Sequence, residues 1–200
     1  SFLFGSSCWE LKNFKTICLG ETDLKLVVKF GGTSLATVKE IKNVVKTITK
    51  ISKNNKIVVV CSAVDGITDE LIQISLLVEK GNKKDANRTL ARISQKHKQF
   101  ADHLITNSKI LKALQNKLNS DLSELEKLVQ GLILLGEVTA RSYDYLISFG
   151  ERLSIDLVSF SLQEMKNKSV PLSGKEAGIV TDSNFGDSRP LMDTTRIRVS

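Results

Sequence analysis

Short apolar runs alternate with a stretch of helical periodicity along the first third of the chain. Residues 25–30, Lys-Leu-Val-Val-Lys-Phe, are typical of a strand that is buried on both faces. Over residues 38–51 the apolar positions recur every three or four residues, which predicts an amphipathic helix. A second apolar run at 57–61 follows a polar turn. The pattern predicts a β-α-β unit, in which a right-handed crossover makes the two strands parallel.

The next part of the chain has mainly helical spacing. A helix that follows the loop after the second strand is predicted to end at Gly81. Two leucine-rich stretches, about 86–104 and 111–132, have heptad-like spacing and predict two long helices that pair antiparallel. His97 lies on the first apolar stripe and His103 lies beside it, so both are predicted to be packing residues rather than ligands or bases.

The last third of the chain combines a helix with strand-like and turn-rich segments. A helix rich in apolar side chains is predicted from about residue 142 to 166. Residues 169–172, Ser-Val-Pro-Leu, predict a third strand, and a turn-rich stretch begins at residue 178. Because strands alternate with helices, we expect an α/β fold with a layered sheet and the leucine-rich hairpin inserted between its parts.

Composition narrows the class of protein. The net charge of +7 suits an anionic partner, but the lysines are scattered along predicted helices and no nucleic-acid-binding signature is present, so no nucleic-acid partner is expected. The three cysteines form neither an even framework nor a paired motif, which argues against a disulfide scaffold or zinc site and favours the cytoplasm. No apolar run is long enough to span a membrane. Residues 1–24 are treated as an extension of unknown role.

The glycine-containing loop after the first strand is the main candidate for chemistry. In an open α/β sheet, ligands bind beyond the carboxyl ends of the strands. Gly31 and Gly32 would let the backbone approach a ligand and aim successive amides at it. Lys29 would add a full positive charge for a phosphate or for a transition state with spread negative charge. From these residues alone, a lysine before an ordinary glycine turn is an equally good explanation.

Three further polar residues have two explanations each. Glu151 follows Gly150 inside an apolar stretch, where a buried carboxylate needs a partner. Arg152 or a backbone cap would supply that partner, and so would the cation of a ligand. Ser62 and Thr68 flank the glycine of the second loop, where they would either donate hydrogen bonds to a substrate or cap the next helix.

Four segments, in this order and at these separations, carry a resemblance to a known family: VVKFGGTS, CSAVDGITD, LLGEVTARSYDYLISFGERLS and EAGIVTDSNFG. Over about residues 25–190 the chain resembles the N-terminal half of an aspartate kinase of the amino-acid-kinase family. The resemblance implies an α/β three-layer sandwich with a mainly parallel central sheet and a helical insertion at about 83–135. It also implies ATP-dependent phosphorylation of the β-carboxylate of L-aspartate to 4-phospho-L-aspartate, the first step towards lysine, threonine and methionine.

The resemblance also implies a role for individual residues by motif position. Lys29 would stabilise the transferring phosphoryl group, while Thr68 and Glu151 would contact aspartate, with Glu151 taking its ammonium. Mg²⁺ would accompany ATP, and no residue of the chain is assigned as a metal ligand. The EAGIVTD segment would have a structural role only. A carboxylate nucleophile is ionised at neutral pH, so no general base is required. The residues expected to hold ATP are Lys29, Phe30, Gly31, Gly32 and Ser62.

Family members continue beyond the part that this chain matches, into a substrate-binding segment, the nucleoside-binding region and, in most members, paired regulatory ACT domains. We therefore expect residues 25–200 to form the N-terminal part of a catalytic domain that stops before the nucleoside-binding part. On that expectation the chain alone would be inactive, and the intact enzyme would be a homo-oligomer. The feedback inhibitor and fusion to a homoserine dehydrogenase stay open.

Two alternatives stay open. A relative with the same scaffold would act on another acceptor, such as N-acetylglutamate, glutamate or uridylate, although those kinases lack the combination of KFGGTS and SFGERLS. A non-catalytic interaction protein would use the leucine-rich hairpin to bind a partner, and its glycine loop would be only a turn. A hairpin that stays exposed and self-associates, without stabilisation by nucleotide, would favour that second interpretation.

Overall fold

The computed structural model describes residues 16–19 and 25–199 of the chain. Its strands are β1 (Thr16–Leu19), β2 (Lys25–Phe30) and β3 (Lys56–Cys61). A short 3₁₀ helix occupies Gly32–Leu35. The α-helices are α1 (Val38–Ile51), α2 (Ile67–Glu79), α3 (Lys83–Leu104), α4 (Ser108–Leu135), α5 (Ala140–Glu164) and α6 (Met192–Val199).

Strands β2 and β3 run parallel, with Lys29 opposite Val60, and α1 forms the crossover between them. The helix begins where the Thr37 side chain accepts a hydrogen bond from the Glu40 amide. The Thr37 hydroxyl in turn donates to the Glu40 carboxylate at 2.9 Å, so the first turn is closed by its own residues. The predicted β-α-β unit and α/β class are confirmed. The parallel pairing brings the carboxyl ends of both strands to one edge of the sheet.

Strand β1 pairs antiparallel with the other side of β2, so the order in the sheet is β1-β2-β3. Its four residues belong to the segment 1–24 that was predicted to be an extension. The other residues of that segment lie outside the described residues. Because β2 is hydrogen-bonded on both sides, the strand that carries Lys29 is held firmly in place.

One face of the sheet is left uncovered by the described residues. Val58 and Val60 on β3 are 60% and 42% exposed, and Lys29 on β2 is exposed as well. Val28 and Phe30, which alternate with Lys29, are buried. The prediction that these strands are buried on both faces is therefore wrong for the described part of the protein, since its helices cover only one face.

Helices α2, α3, α4 and α5 pack against one another and contain most of the core. Only three residues join α3 to α4, and the two helices lie in contact, which confirms the predicted antiparallel hairpin. The Glu164 carboxylate at the end of α5 accepts hydrogen bonds from the amides of Thr106 and Asn107 in this turn, at 3.0 and 3.2 Å. Fully buried side chains along α4 are Leu114, Leu118, Leu125 and Val129.

The two histidines of α3 have different environments. His97 is fully buried, and its Nδ1 lies 2.8 Å from the Ile93 carbonyl oxygen, so its predicted packing role is confirmed. His103 is exposed, with Nδ1 2.7 Å from the Gln99 carbonyl oxygen. The packing role predicted for His103 is wrong, because its position beside the apolar stripe turns the ring to solvent.

Residues 169–172 pair with no described strand, so the predicted third strand is wrong. The segment is held by α5, where the Ser169 hydroxyl donates to the Ser159 carbonyl oxygen at 2.8 Å. Its Val170 side chain is 76% exposed. Further along, Thr181 and Pro190 form an isolated antiparallel bridge within the predicted turn-rich stretch. None of the described helices has the length and apolar character needed to cross a bilayer.

Candidate active site

Strand pairing places the loop after β2 beside the loop after β3. The Ser62 amide donates to the Phe30 carbonyl oxygen at 2.9 Å, which continues the β2–β3 contact by one residue. Lys29 precedes Phe30 and is exposed at the same edge of the sheet. The structure therefore brings together the five residues expected to hold ATP: Lys29, Phe30, Gly31, Gly32 and Ser62.

Gly31 borders open space, and Gly32 lies beside the second loop with room for a side chain. Gly31 has an ordinary extended backbone, with φ −79° and ψ 172°, and a Cβ added to it would meet no atom within 4 Å. A Cβ on Gly32 would lie 3.5 Å from the Ala63 carbonyl oxygen, which is an ordinary contact. Outside helices and strands, no backbone hydrogen bond between described residues uses either amide. Since neither strain nor packing explains the two glycines, the loop has room for a ligand that approaches its backbone closely.

The Lys29 ammonium has no carboxylate or carbonyl partner among the residues that the structure describes. A free ammonium next to available loop amides concentrates positive charge at the end of β2. This arrangement suits an anion such as a phosphate.

Ser62 and Thr68 do not cap the helix after the second loop. The N-cap of α2 is Gly66, which has a positive φ of 78° and makes no side-chain cap. The capping explanation is therefore wrong for both residues, and no described residue hydrogen-bonds to either hydroxyl. The Ser62 carbonyl oxygen accepts a hydrogen bond of 2.7 Å from the Ser154 hydroxyl of α5. This bond ties the second loop to α5.

Gly150 allows α5 to approach the second loop closely. A Cβ added to Gly150 would lie 2.8 Å from the Cβ of Ala63, which is closer than packed side chains tolerate. Ala63 also borders Gly32 of the first loop. One alanine thus separates the first glycine loop from α5, and Glu151 is the next residue along that helix. No local pattern predicts this contact, because it joins segments that are far apart in the chain.

Glu151 is half-buried and lines an open cleft of about 830 Å³ between α4, α5 and residues 171–176. Within the described chain its carboxylate has no hydrogen-bond or ion-pair partner. Pairing with Arg152 and capping of a backbone amide are therefore both wrong as explanations of this residue. Neither Lys29 nor Thr68 lines the cleft, so the structure does not bring them into one cavity with Glu151.

A chain of charged side chains that the sequence analysis missed lines the same cleft and bridges α4 and α5. The Lys117 ammonium lies 2.6 Å from the Asp121 carboxylate and 3.6 Å from that of Asp156. The Arg152 guanidinium lies 3.2 Å from Asp121 and 2.6 Å from Glu124. The i,i+4 spacing of Lys117 and Asp121 on a leucine-rich helix was the one signal in the sequence that could have revealed part of this network.

Burial and pairing shift the pKa values of this network. Desolvation, followed by a hydrogen bond to Asp121, raises the pKa of the Asp156 carboxyl to about 7. Hydrogen bonds from Arg152 and then from Tyr145 lower the pKa of Glu124. Burial alone would lower the pKa of Lys117, but its hydrogen bond to Asp121 and the nearby carboxylates raise it. The network thus keeps Lys117 charged and Asp156 largely protonated at mildly acid pH.

Comparison with known proteins identifies the family. The profile described as "Amino acid kinase family" matches residues 25–198 of this chain. The chain belongs to the amino acid kinase family. This match spans most of the chain and covers the glycine loop, the hairpin and the cleft.

Sequence relatives and solved structures agree with this membership. The chain is 32% identical over 192 residues to aspartokinase 3, chloroplastic, of Arabidopsis thaliana, a match that covers 92% of this chain and 32% of that protein. It is 30% identical over 175 residues to the aspartokinase of Geobacillus stearothermophilus, covering 86% of this chain and 29% of that protein. The resemblance to aspartate kinases is therefore confirmed. The chain spans about a third of the length of the relatives it matches.

A solved structure shows the same fold. The crystal structure of aspartokinase III of E. coli in complex with aspartate and ADP matches with a TM-score of 0.73 and 22% sequence identity. The match covers 86% of this chain and 36% of that one. It confirms the expected amino-acid-kinase fold.

In this member of the amino acid kinase family, the described residues contain no group of three or more histidine, cysteine, aspartate or glutamate side chains arranged to hold a metal ion. Mg²⁺ commonly binds through substrate phosphates and one or two carboxylates rather than an all-protein cage. The free Lys29 ammonium and the open glycine loop fit the phosphates that would carry such an ion.

Proposed function

We propose that this protein transfers the γ-phosphoryl group of ATP to the β-carboxylate of L-aspartate, forming 4-phospho-L-aspartate, as the first step towards lysine, threonine and methionine. The observation that carries the proposal is Lys29, which has no partner among the described residues, beside the open Gly31–Gly32 loop at the carboxyl end of β2. The aspartokinase relatives and the solved neighbour with aspartate and ADP support the choice of both substrates.

Lys29 and the glycine loop would act on the phosphates of ATP. Phosphoryl transfer needs little covalent chemistry from the protein and depends on positioning and on neutralising the transferring group. The Lys29 ammonium would stabilise that charge, and the amides of Gly31 and Gly32 would bind phosphate oxygens. Ser62 would contribute its free hydroxyl at the same edge of the sheet. Mg²⁺ would be held through the phosphates and would neutralise further negative charge.

Glu151 and Thr68 would bind the acceptor. The Glu151 carboxylate is the natural partner for an ammonium, because it is half-buried and unpaired within the described chain. Ala63 lies between Gly32 and Gly150, so the helix that carries Glu151 packs next to the phosphate loop. Aspartate would lie with its ammonium towards Glu151 and its β-carboxylate towards the phosphates. That carboxylate is ionised at neutral pH and attacks without a general base.

Compartment and assembly belong to the same proposal. We place the reaction in the cytoplasm and the intact enzyme in a homo-oligomer, although one of the relatives described above is chloroplastic. The described chain contains the phosphate loop and the Glu151 cleft, and residues 25–200 are proposed to be the N-terminal part of the catalytic domain.

The alternative of a non-catalytic interaction module is weakened, because the α3–α4 hairpin buries its apolar stripe within the core.

The test is Lys29→Met, assayed in the full natural polypeptide by trapping aspartyl phosphate as its hydroxamate. We expect kcat to fall by roughly 10²–10³ or more, the scale of losing one group that stabilises transition-state charge. The urea midpoint should be unchanged, because Lys29 is exposed and makes no ion pair with any residue that the structure describes. Lys53→Met, which alters another exposed lysine away from the site, is the matched control. Undiminished turnover of Lys29→Met would reject the proposed role, and preference for glutamate over aspartate would reject the acceptor.

A further inference from the structure

The carboxyl groups of the cleft are almost all paired within the described residues, whereas the exposed Lys175, which also lines the cleft, has no ion-pair partner there. Four of the five carboxylates that line it have partners: Asp121, Glu124 and Asp156 in the ion network, and Glu176 with the amide and hydroxyl of Ser173. Glu151 is the fifth, and within the described residues its carboxylate is unpaired. The unpaired carboxylate is the one proposed to bind substrate.

Arg152, the neighbour of Glu151, is held from several directions. Its guanidinium lies 2.6 Å from the Glu124 carboxylate and 3.2 Å from that of Asp121. It also stacks over the Phe149 ring at 4.2 Å from the centroid. The Tyr145 hydroxyl donates to the same Glu124 carboxylate, which fixes this carboxylate in turn. The two carboxylates belong to α4, so these ion pairs hold the guanidinium against that helix, while Phe149 packs on it from α5.

We infer that Asp121 and Glu124 are positioning residues for the acceptor site, because they hold the Arg152 guanidinium against α4 and leave Glu151 free for the ammonium of the substrate. The inference rests on the proposed function, and specifically on Glu151 as the ammonium ligand. It assigns a role to two carboxylates of α4 that do not themselves touch the substrate.

The physical reason is competition between two cations for one carboxylate. Side chains of adjacent helix residues point about 100° apart, so the backbone alone does not direct Arg152 at Glu151. The arginine side chain is long and flexible, however, and both residues line the cleft. Without its partners the guanidinium would turn towards the remaining free carboxylate. A positive charge there would weaken the binding of a substrate ammonium.

Glu124→Gln is the first test, because Glu124 is 44% exposed and the substitution keeps the size of the side chain. In the full natural polypeptide we expect the KM for aspartate to rise roughly fivefold, the scale of one partly screened charge interaction. The KM for ATP and kcat should stay unchanged, because the phosphate loop is not altered. A KM for aspartate that stays the same or falls would overturn the inference.

Arg152→Met separates this role from a merely structural one. If Asp121 and Glu124 act only by tying α4 to α5 through Arg152, Arg152→Met breaks both ties and should impair aspartate binding at least as much as Glu124→Gln. If they act by restraining a competing charge, Arg152→Met should have the wild-type KM for aspartate. The double variant Glu124→Gln/Arg152→Met should then return to the wild-type value. A double variant that stays impaired contradicts the inference.

The position of the Arg152 side chain and the role of Glu151 can each be measured directly. The ¹⁵N NMR signal of the Arg152 Nε–H in this chain should shift and broaden in Glu124→Gln, as the guanidinium leaves α4, whereas Asp85→Asn, which breaks an exposed pair with Arg88 in α3, should leave it unchanged. Glu151→Gln should raise the KM for aspartate in its own right. If it does not, the proposed function fails. If it does while Glu124→Gln has no effect, only the inference fails.

Discussion

Gly31, Gly32 and Gly150 are glycines for different physical reasons. A Cβ at Gly31 or Gly32 would meet open space or an ordinary contact, so the folded chain has room for a side chain at both positions. A Cβ at Gly150 would press on the Cβ of Ala63 at 2.8 Å. Packing therefore requires Gly150, whereas a closely bound ligand is the remaining reason for the pair in the loop.

Alanine substitutions at these positions should separate folding from binding. We expect Gly31→Ala to change the free energy of unfolding by less than about 1 kcal/mol and to weaken MgATP binding at least tenfold, because its Cβ would project into the open space proposed for the phosphates. Gly150→Ala should lower the free energy of unfolding by roughly 1–3 kcal/mol through overpacking. Urea denaturation and calorimetric MgATP titration measure the two effects. Unchanged nucleotide affinity in Gly31→Ala would argue against a phosphate site in this loop.

At the scale of the helices, α3 and α5 each bury a titratable group, and the two respond to pH in opposite directions. The Nδ1–H of His97 must donate to the Ile93 carbonyl oxygen, so Nε2 carries no proton and has no hydrogen-bond partner in the described residues. Burial lowers the pKa of His97 to about 4. Burial raises the pKa of Asp156, which faces Lys117 and Asp121.

His97→Leu should remove an acid-sensitive contribution to stability. Between the ordinary histidine pKa of about 6.5 and the folded value near 4, the unfolded chain binds the extra proton, so His97 costs stability as pH falls. We expect the free energy of unfolding of wild type, relative to His97→Leu, to drop by roughly 2 kcal/mol from pH 7 to pH 5. Urea denaturation at both pH values measures this difference, and a constant difference would show that His97 does not titrate as expected.

Asp156→Asn should show the opposite pH dependence of stability from His97→Leu. Above the ordinary aspartate pKa the unfolded chain loses its proton while folded Asp156 keeps it up to about pH 7, so this group costs stability as pH rises. The wild type, relative to Asp156→Asn, should therefore become less stable from pH 5 to pH 7, by roughly 2 kcal/mol in the same urea experiment. A difference of the same sign as for His97→Leu would contradict the assigned direction.

At the scale of the whole molecule, the leucine-rich hairpin is part of the same core as the β-α-β unit. Its apolar stripe packs against α2 and α5, and α5 contacts both α1 and β3. The uncovered face with Val58 and Val60 lies on the sheet instead. The insertion therefore stabilises the helix that carries Glu151, rather than offering a free surface for a partner.

Substitutions along α4 should show this shared core. Leu118→Ala removes a fully buried side chain, and we expect it to lower the free energy of unfolding by roughly 2–5 kcal/mol. Leu134→Ala alters an 84% exposed leucine of the same helix and should change the free energy of unfolding by less than about 0.5 kcal/mol. Hydrogen exchange should show α4 and β2 losing protection together in Leu118→Ala. Loss confined to the hairpin would mean that it unfolds as a separate unit.

The accuracy of the sequence-based predictions followed the range of the interactions involved. The β-α-β unit, the hairpin and the glycine loop were predicted correctly, because periodicity, caps and turns involve residues close together in the chain. His103 and residues 169–172 were predicted wrongly, because their burial and pairing depend on what packs alongside. Glu151 was singled out by its apolar surroundings, but the sequence could not decide between Arg152 and a ligand as its partner.

The sequence by itself determined the order of strands and helices, the place of the phosphate-loop candidates at the end of a strand, and the family motifs, since each is written in a local pattern. Only the tertiary structure decided which charges are free. Arg152 binds Asp121 and Glu124, which precede it by 31 and 28 residues, and this pairing leaves Glu151 without a partner among the described residues. Electrostatic pairing depends on distance in space, and a one-dimensional pattern does not contain that distance.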